Sequence, residues 1–383
     1  MVLFVFALVG HCRVIMHTRT ASKQKPKPPG ALMLAWYDIH RRVLPWRGPK
    51  GRRADPYGVW LSEIMLQQTT VQAVGNYYRK FLARWPTVED LAAAPLDDVL
   101  AAWAGLGYYA RARNLHAAAK MVAGELGGKF PRTIEELRKI PGIGPYTAGA
   151  IAAIAFDVKA AAVDANAERV IARYFAVREI LAKAKPQLKA LTESILPDVR
   201  AGDFAQALMD LGSTICTPKR PACGNCPWAD GCEARRLGIQ ETLPMRGAKA
   251  ARPLRRGAAF VARDRTGAVL LVRRPVKGLL GGMREPPQGP WTETFPTGGK
   301  LRALEPFSAD WQKLPGLVRH VFTHFELEVE VYFAQVQKRP RLDALSDVVW
   351  TRDLDNAALP TVMRKIVFHA LDDGGPLFGK GSK

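Results

Sequence analysis

Four cysteines confined to seventeen residues constrain this chain more than any other feature. They form the run Cys216-x6-Cys223-x2-Cys226-x5-Cys232, and the one further cysteine in the 383 residues is Cys12. Five cysteines are too few for a disulfide scaffold, and no convincing export signal accompanies them. Soft thiolates at this density wrap a single site, holding either zinc or a [4Fe–4S] cluster. Either group fixes the backbone between its ligands. Lys219 and Arg220, inside the first loop, are therefore expected on a rigid surface that meets phosphate.

Charge points the same way. Lys and Arg number 56 against 35 Asp and Glu, a net of +21. A field of that sign attracts a polyanion, of which nucleic acid is the commonest. The excess is uneven: residues 1–55 carry eleven Lys/Arg against Asp38 and Asp55, and 235–256 carry seven against Glu241. Both stretches hold Gly or Pro and no long apolar periodicity, so they read as solvated arms or linkers. The apolar start Met1–Val9 has no basic residue before it and is far shorter than a membrane span. Residues 1–30 are accordingly expected to be a disordered basic arm.

From 31 to 235 apolar positions recur at three- and four-residue spacing, as in Val59, Trp60, Ile64, Val71, Val74, Tyr78 and Phe81. Runs at Leu91–Trp103, Leu115–Leu126, Ile134–Ile140, Thr147–Phe156, Val170–Phe175 and Phe204–Leu211 continue the pattern. This predicts an all-α domain of about ten helices. A basic linker, 236–256, follows. The pattern then turns β-rich at Ala258–Ala262 and Val269–Arg273, and Phe325, Leu327, Val329 and Val331 alternate with Glu326, Glu328 and Glu330. With a helix near Thr361–Leu371, residues 257–375 are expected to form a separate α+β domain, and 376–383 a tail.

Three stretches carry chemistry. Gly142 and Gly144, in Ile140-Pro-Gly-Ile-Gly-Pro-Tyr-Thr147, allow a tight hairpin between helical runs over 133–156. Its backbone N–H groups, at the start of the next helix, suit a DNA phosphate. Glu63 sits among Val59, Trp60, Ile64 and Met65. Beside such a face a carboxyl loses hydration, and its pKa rises toward the range of a general acid. Asp164 and Asn166, in Ala162-Val-Asp-Ala-Asn166, are natural helix N-caps, and a carboxylate fixed at such a turn suits a developing cation. Two carboxylates are what glycosidic cleavage asks for: one protonates the leaving group, the other steadies an oxocarbenium-like sugar.

Together the hairpin, the Asp about twenty residues on and the cysteine loop resemble the endonuclease III superfamily of DNA glycosylases. Leu44-Pro-Trp-Arg47, Asp55-Pro-Tyr57, Ser62-Glu-Ile-Met-Leu-Gln-Gln68 and Gly105-Leu-Gly-Tyr-Tyr109-Ala-Arg-Ala-Arg-Asn-Leu115 resemble its MutY branch, the adenine glycosylases. The likeness implies a [4Fe–4S] cluster on Cys216, Cys223, Cys226 and Cys232. It implies that Glu63 protonates adenine N7 and later helps activate water, and that Asp164 stabilises the cationic sugar with support from Tyr146 and Asn166. Gln68, Leu106 and Tyr108 would probe the oxidised guanine side, with Tyr108 wedged into the stack. Bifunctional relatives carry a Schiff-base lysine where this chain has Tyr146, which cannot form an imine. The rival reading, a bifunctional glycosylase/lyase, is disfavoured on that ground.

Residues 257–375 resemble the Nudix-like module with which that branch recognises 8-oxoguanine. Gly278-Leu-Leu-Gly-Gly-Met-Arg-Glu285 and Phe322-Thr323-His324 occupy the places of its glycine turn and FSH-type loop. The usual Trp after Gly-Gly-Leu is missing, Thr323 stands for Ser, and no REx2EExG run supplies the carboxylates of a working Nudix hydrolase. The implied partner is double-stranded DNA with an A:8-oxoG or A:G mispair. The chain is expected to be monomeric, off the membrane, in the bacterial cytosol or nucleoid.

Overall fold

The computed structural model describes residues 29–247, 251–342, 345 and 347–371. The expectations for residues 1–28 and 376–383 lie outside that range. Pro29 and Gly30, assigned above to the arm, already belong to the first helix.

The helical part runs α1 (Pro29–His40), α2 (Pro56–Leu66), α3 (Val71–Arg84), α4 (Val88–Ala93), α5 (Leu96–Trp103) and α6 (Ala110–Gly124). It continues with α7 (Ile134–Leu137), α8 (Pro145–Phe156), α9 (Ala165–Tyr174), α10 (Leu181–Ser194), α11 (Ala201–Thr214) and α12 (Glu233–Arg236). Two differences from the sequence pattern have local causes. The run Leu91–Trp103 is split because Pro95 ends one helix and precedes the next. Helix α10 escapes the apolar pattern because only Ala184, Leu188 and Thr192 are buried, and Pro186 lies within it.

Helix α2 is the axis of this part. Asp55 caps it, its carboxylate accepting from Gly58 N–H at 2.9 Å, and Pro56 presets the first turn. Every residue from Tyr57 to Met65 is buried. Gly58 is required by packing, since a Cβ there would stand 2.6 Å from the Tyr78 hydroxyl of α3. Helix α8 lies against α2 with an almost continuous buried surface of Ala and Gly, which lets the two backbones approach closely. Asp164 caps α9, accepting from Ala167 N–H at 2.7 Å. Helix α8 packs on both α2 and α11, and α11 on α9, and this chain of contacts brings positions 63, 146 and 164 to the lining of one pocket.

The remaining chain forms one mixed sheet. Its strands are β1 (Leu254–Asp264), β2 (Val269–Arg273) and β3 (Arg284–Glu285), then, after α13 (Gly298–Arg302), β4 (Gln312–Lys313), β5 (Val318–Val321), β6 (Glu326–Val336) and β7 (Val348–Thr351). Leu254–Arg256, placed in the linker above, are thus in strand. The order is β3-β2-β1-β6-β4, with β5 also on β6 and β7 on β2. β1 and β6 are parallel, Leu254 opposite Glu326 through Asp264 opposite Val336, and the other pairs are antiparallel. α14 (Thr361–Leu371) covers one face with Val362, Met363, Ile366 and Val367. Phe260 and Tyr332 pack on the other against Leu301, Leu304 and Trp311. Met283 and Ala358 leave this sheet's core and join that of the helical part. Met283 takes the place of the leucine in the module's Gly-Gly-Leu, and Arg284 stands where its tryptophan was missed.

Candidate active site

A pocket of about 720 Å³ opens where α2, α8 and α9 meet, lined by Glu63, Tyr146, Asp164 and Asn166 together with Arg47, Gln67, Gln68, Gln206 and Met209. Glu63 is buried, only 6% exposed. Its Oε2 accepts from the Tyr146 hydroxyl at 3.0 Å. Burial drives its pKa up to about 7, against the lowering pull of that hydrogen bond and of Arg47. Burial also raises Asp164, but the Ala167 N–H and the Asn166 amide, at 2.9 Å, favour its charged form. Burial and the neighbouring Glu63 hold the Tyr146 phenol well above its ordinary value, so it stays a donor. Two carboxyls whose surroundings treat them differently are suited to divide acid and anion roles.

Sequence reasoning missed several supports of this pocket. Arg47 is clamped by Asp210, which is wholly buried, through bonds of 2.6 and 2.8 Å; Arg42 joins the same carboxylate. Lys185 pairs with Glu168 at the rim, 2.7 Å apart. The signal for Arg47 was present in Leu44-Pro-Trp-Arg47, but its partner lies 163 residues on.

The cysteine loop hangs on the far end of α9. Arg173, almost fully buried, donates to the carbonyls of Thr217 at 2.7 Å and Pro218 at 3.0 Å, and approaches Cys216 Sγ at 3.3 Å. Arg169 donates to the carbonyls of Cys216 and Gly212. Burial raises the thiols of Cys226 and Cys232, and each senses the charge of the others. The four cysteines are half-buried and unpaired, a donor set that fits a group sharing its charge over several metal atoms. Cys216, Cys223, Cys226 and Cys232 are the residues that would hold a [4Fe–4S] cluster, on a loop that Arg169 and Arg173 tie to α9. Lys219 and Arg220 project from it, both exposed.

The other residues singled out fall in two groups. Gly142 has φ +78°, and a Cβ there would meet Asn114 Cβ at 2.8 Å, so the hairpin demands glycine. Gly144 is the N-cap of α8. Gln68 and Tyr108 are exposed and both have left-handed backbone, φ 58° and 48°. The Tyr108 hydroxyl meets Thr323 Oγ1 at 2.5 Å. His324 is exposed beside it, while Phe322 stacks on Phe325 and Trp291. Leu106 departs from expectation: it is buried in the helical core rather than presented outward, because the glycine turn at 105–107 folds it under.

Comparison with known proteins agrees with this architecture. Residues 61–197 match the HhH-GPD superfamily base excision DNA repair proteins, 216–232 the iron-sulfur binding domain of endonuclease III, and 258–369 the NUDIX domain. These define a base-excision DNA glycosylase with an iron–sulfur loop and an appended Nudix-type domain. The human adenine DNA glycosylase is 36% identical over 92% of this chain and 75% of its own length. That of Mus musculus is 37% identical over 92% and 79%. A solved thermostable thymine-DNA glycosylase is 33% identical over 54% of this chain and 95% of its own, with a TM-score of 0.49. The chain belongs to the adenine DNA glycosylase family, and is an enzyme of base excision repair acting on N-glycosyl bonds.

Proposed function

We propose that this chain hydrolyses the N-glycosidic bond of adenine opposite 8-oxoguanine, and opposite guanine, in duplex DNA, without a lyase step. The observation that carries the reading is the Tyr146–Glu63 hydrogen bond inside a pocket shared with Asp164. A flipped purine in that pocket meets a carboxyl that keeps its proton near neutral pH. Glu63 donates that proton to the leaving base, the glycosidic bond breaks, and Asp164, fixed by Ala167 and Asn166, stabilises the cationic sugar. Glu63, now a carboxylate, takes a proton from the water that adds to the sugar. Tyr146 holds the carboxyl's direction and offers no amine.

Tyr108 and Thr323 meet on the opposite-strand side and are assigned to the 8-oxoguanine, with Gln68 beside them. Gly142, Gly144, Lys219 and Arg220 are assigned to phosphates. The same reading has the chain act as a monomer on DNA in the bacterial cytosol or nucleoid; no helix among the described residues is long and apolar enough to cross a membrane. The test uses labelled duplexes carrying A:8-oxoG, A:G or thymine glycol. Adenine release that leaves abasic sites intact until alkali, with little borohydride trapping, is the expected result, and Tyr146→Lys introduces trapping. Strand cleavage keeping pace with base release in the wild type overturns the assignment.

A further inference from the structure

Arg111 stands in the first turn of α6, and its guanidinium is wrapped in backbone carbonyls. Nη1 donates to Ile64 O at 2.8 Å, Met65 O at 3.0 Å and Gln67 O at 2.6 Å. Nη2 donates to Leu106 O at 2.9 Å and Gly107 O at 3.1 Å, with Thr69 Oγ1 at 3.4 Å. The first group of acceptors closes the C-terminal end of α2, whose last turn has no basic residue of its own. A cation there satisfies orphan carbonyls and opposes the negative end of the helix. The guanidinium also lies over the rings of Trp103, at 5.2 Å, and Tyr108, at 5.6 Å. Burial brings its pKa down to about 10, so it remains charged at neutral pH.

Two of these acceptors have a particular position in the chain. Gln67 O and Gly107 O belong to the peptides just before Gln68 and Tyr108, the two exposed residues with left-handed backbone. Such conformations are costly without glycine and persist where surrounding structure over-determines them. One side chain therefore braces both, and its first acceptor, Ile64 O, is the carbonyl next after Glu63 on the buried helix. On its other side α6 is tied to the sheet domain, by Tyr108 to Thr323 and by Arg113 to the carbonyl of Gly281.

We propose that Arg111 is the positioning residue that couples reading of the opposite base to excision. It holds Gln68 and Tyr108 in register and, with the same guanidinium, fixes the end of the helix carrying Glu63. A base seated against Tyr108 and Thr323 bears on the first turn of α6, and Arg111 carries that constraint to the acid. A planar fork of donors is needed; an ammonium has three N–H groups and no fixed plane to span six acceptors. The inference rests on the roles given above to Glu63 and Tyr108.

The test measures single-turnover excision on A:8-oxoG and A:G duplexes across pH for Arg111→Lys, Arg111→Met and Glu63→Gln in the full cluster-bearing chain. Duplex affinity is measured with 2′-fluoro-2′-deoxyadenosine in place of adenosine. Arg111→Lys is expected to bind with little change yet excise about 100-fold more slowly, the scale of a small misplacement of a reacting group. The rate ratio between the two mispairs narrows, and the alkaline limb of the pH profile moves to lower pH as water reaches Glu63. A purely structural role moves neither of these. A wild-type ratio with an unmoved alkaline limb overturns the coupling, whatever the stability. Hydrogen exchange of the unsubstituted protein gives a second test: residues 64–69 are protected on binding the 8-oxoguanine duplex, and less so in Thr323→Ala. Exchange there that ignores the duplex also overturns it. Retained excision by Glu63→Gln defeats the acid assignment instead, and is told apart from failure of the coupling alone.

Discussion

Glu63 shows how a single residue is tuned by where a helix is buried. Its carboxyl is raised to about 7 by loss of water, with Tyr146 as its hydrogen-bond partner. A general acid must hold its proton, so excision should fall as pH rises through about 7. The stability consequence has the same direction. The folded state binds more protons at this site than the unfolded chain, so stability is lost as pH climbs from the ordinary carboxyl range toward 7. Glu63→Gln removes that cost, which is on the order of 3 kcal/mol at alkaline pH from the raised value alone. The variant should therefore bind mispaired DNA, lose excision almost completely, and melt higher than the wild type at pH 8 but not at pH 5. Equal melting shifts at both values would show that Glu63 is not held protonated. Asp210 is the contrasting residue: it is fully buried yet surrounded by Arg42 and Arg47, so its charge is matched where that of Glu63 is refused.

At the scale of elements, α9 joins two functions that the sequence presents separately. Its N-cap is Asp164, and its last turn carries Arg173 into the cysteine loop. One helix thereby connects the cysteine loop to the carboxylate proposed to face the sugar. The hairpin before α8 is defined by backbone rather than side chains. Gly142 is left-handed and lies against Asn114, so Gly142→Ala should cost about 1–2 kcal/mol from backbone strain, with further loss from the contact. Because the hairpin is assigned to a phosphate, duplex affinity should fall while the excision rate of bound DNA changes little. A drop confined to the excision rate would move the hairpin's role from binding to catalysis. Among the strands, β6 shows what alternation conveys: Leu327, Val329 and Val331 are buried, as read, with Glu326, Glu328 and Glu330 on the other face. β4, β5 and β7 have two to four residues each and exist through pairing with β6 or β2, which no local pattern announces.

For the whole molecule the +21 charge is a statement about association. Each phosphate neutralised by Lys or Arg releases a counterion, so log affinity for undamaged duplex should fall linearly and steeply with log salt. A flat response, measured by anisotropy over a salt series, would assign the charge to another purpose. The two parts of the chain also share core: Met283 and Ala358 pack with Leu100 and its neighbours, and Arg273 reaches Asp97 at 2.5 and 2.7 Å. The sheet domain therefore rests on the same α5–α6 corner that presents Tyr108.

Sequence alone determined what local chemistry can encode. Cysteine spacing marked a single thiolate site, apolar flanks marked Glu63 as desolvated, and the resemblance gave meaning to a tyrosine at 146, which has no amine to form an imine. Helix α14 was legible to its ends because its burial has a simple period. Tertiary structure decided everything that joins distant segments. Arg111 looks like one of two arginines in Ala110-Arg-Ala-Arg113 until carbonyls from 64–67 and 106–107 are folded around it. Leu106 looked like a probe beside Tyr108 until the glycine turn put it in the core. Arg47 and Asp210, or Tyr108 and Thr323, become pairs only after the chain has closed loops of more than 160 residues. Periodicity and spacing report the surroundings of a residue along the chain; hydrogen-bond partners across it depend on packing, which only the folded whole specifies.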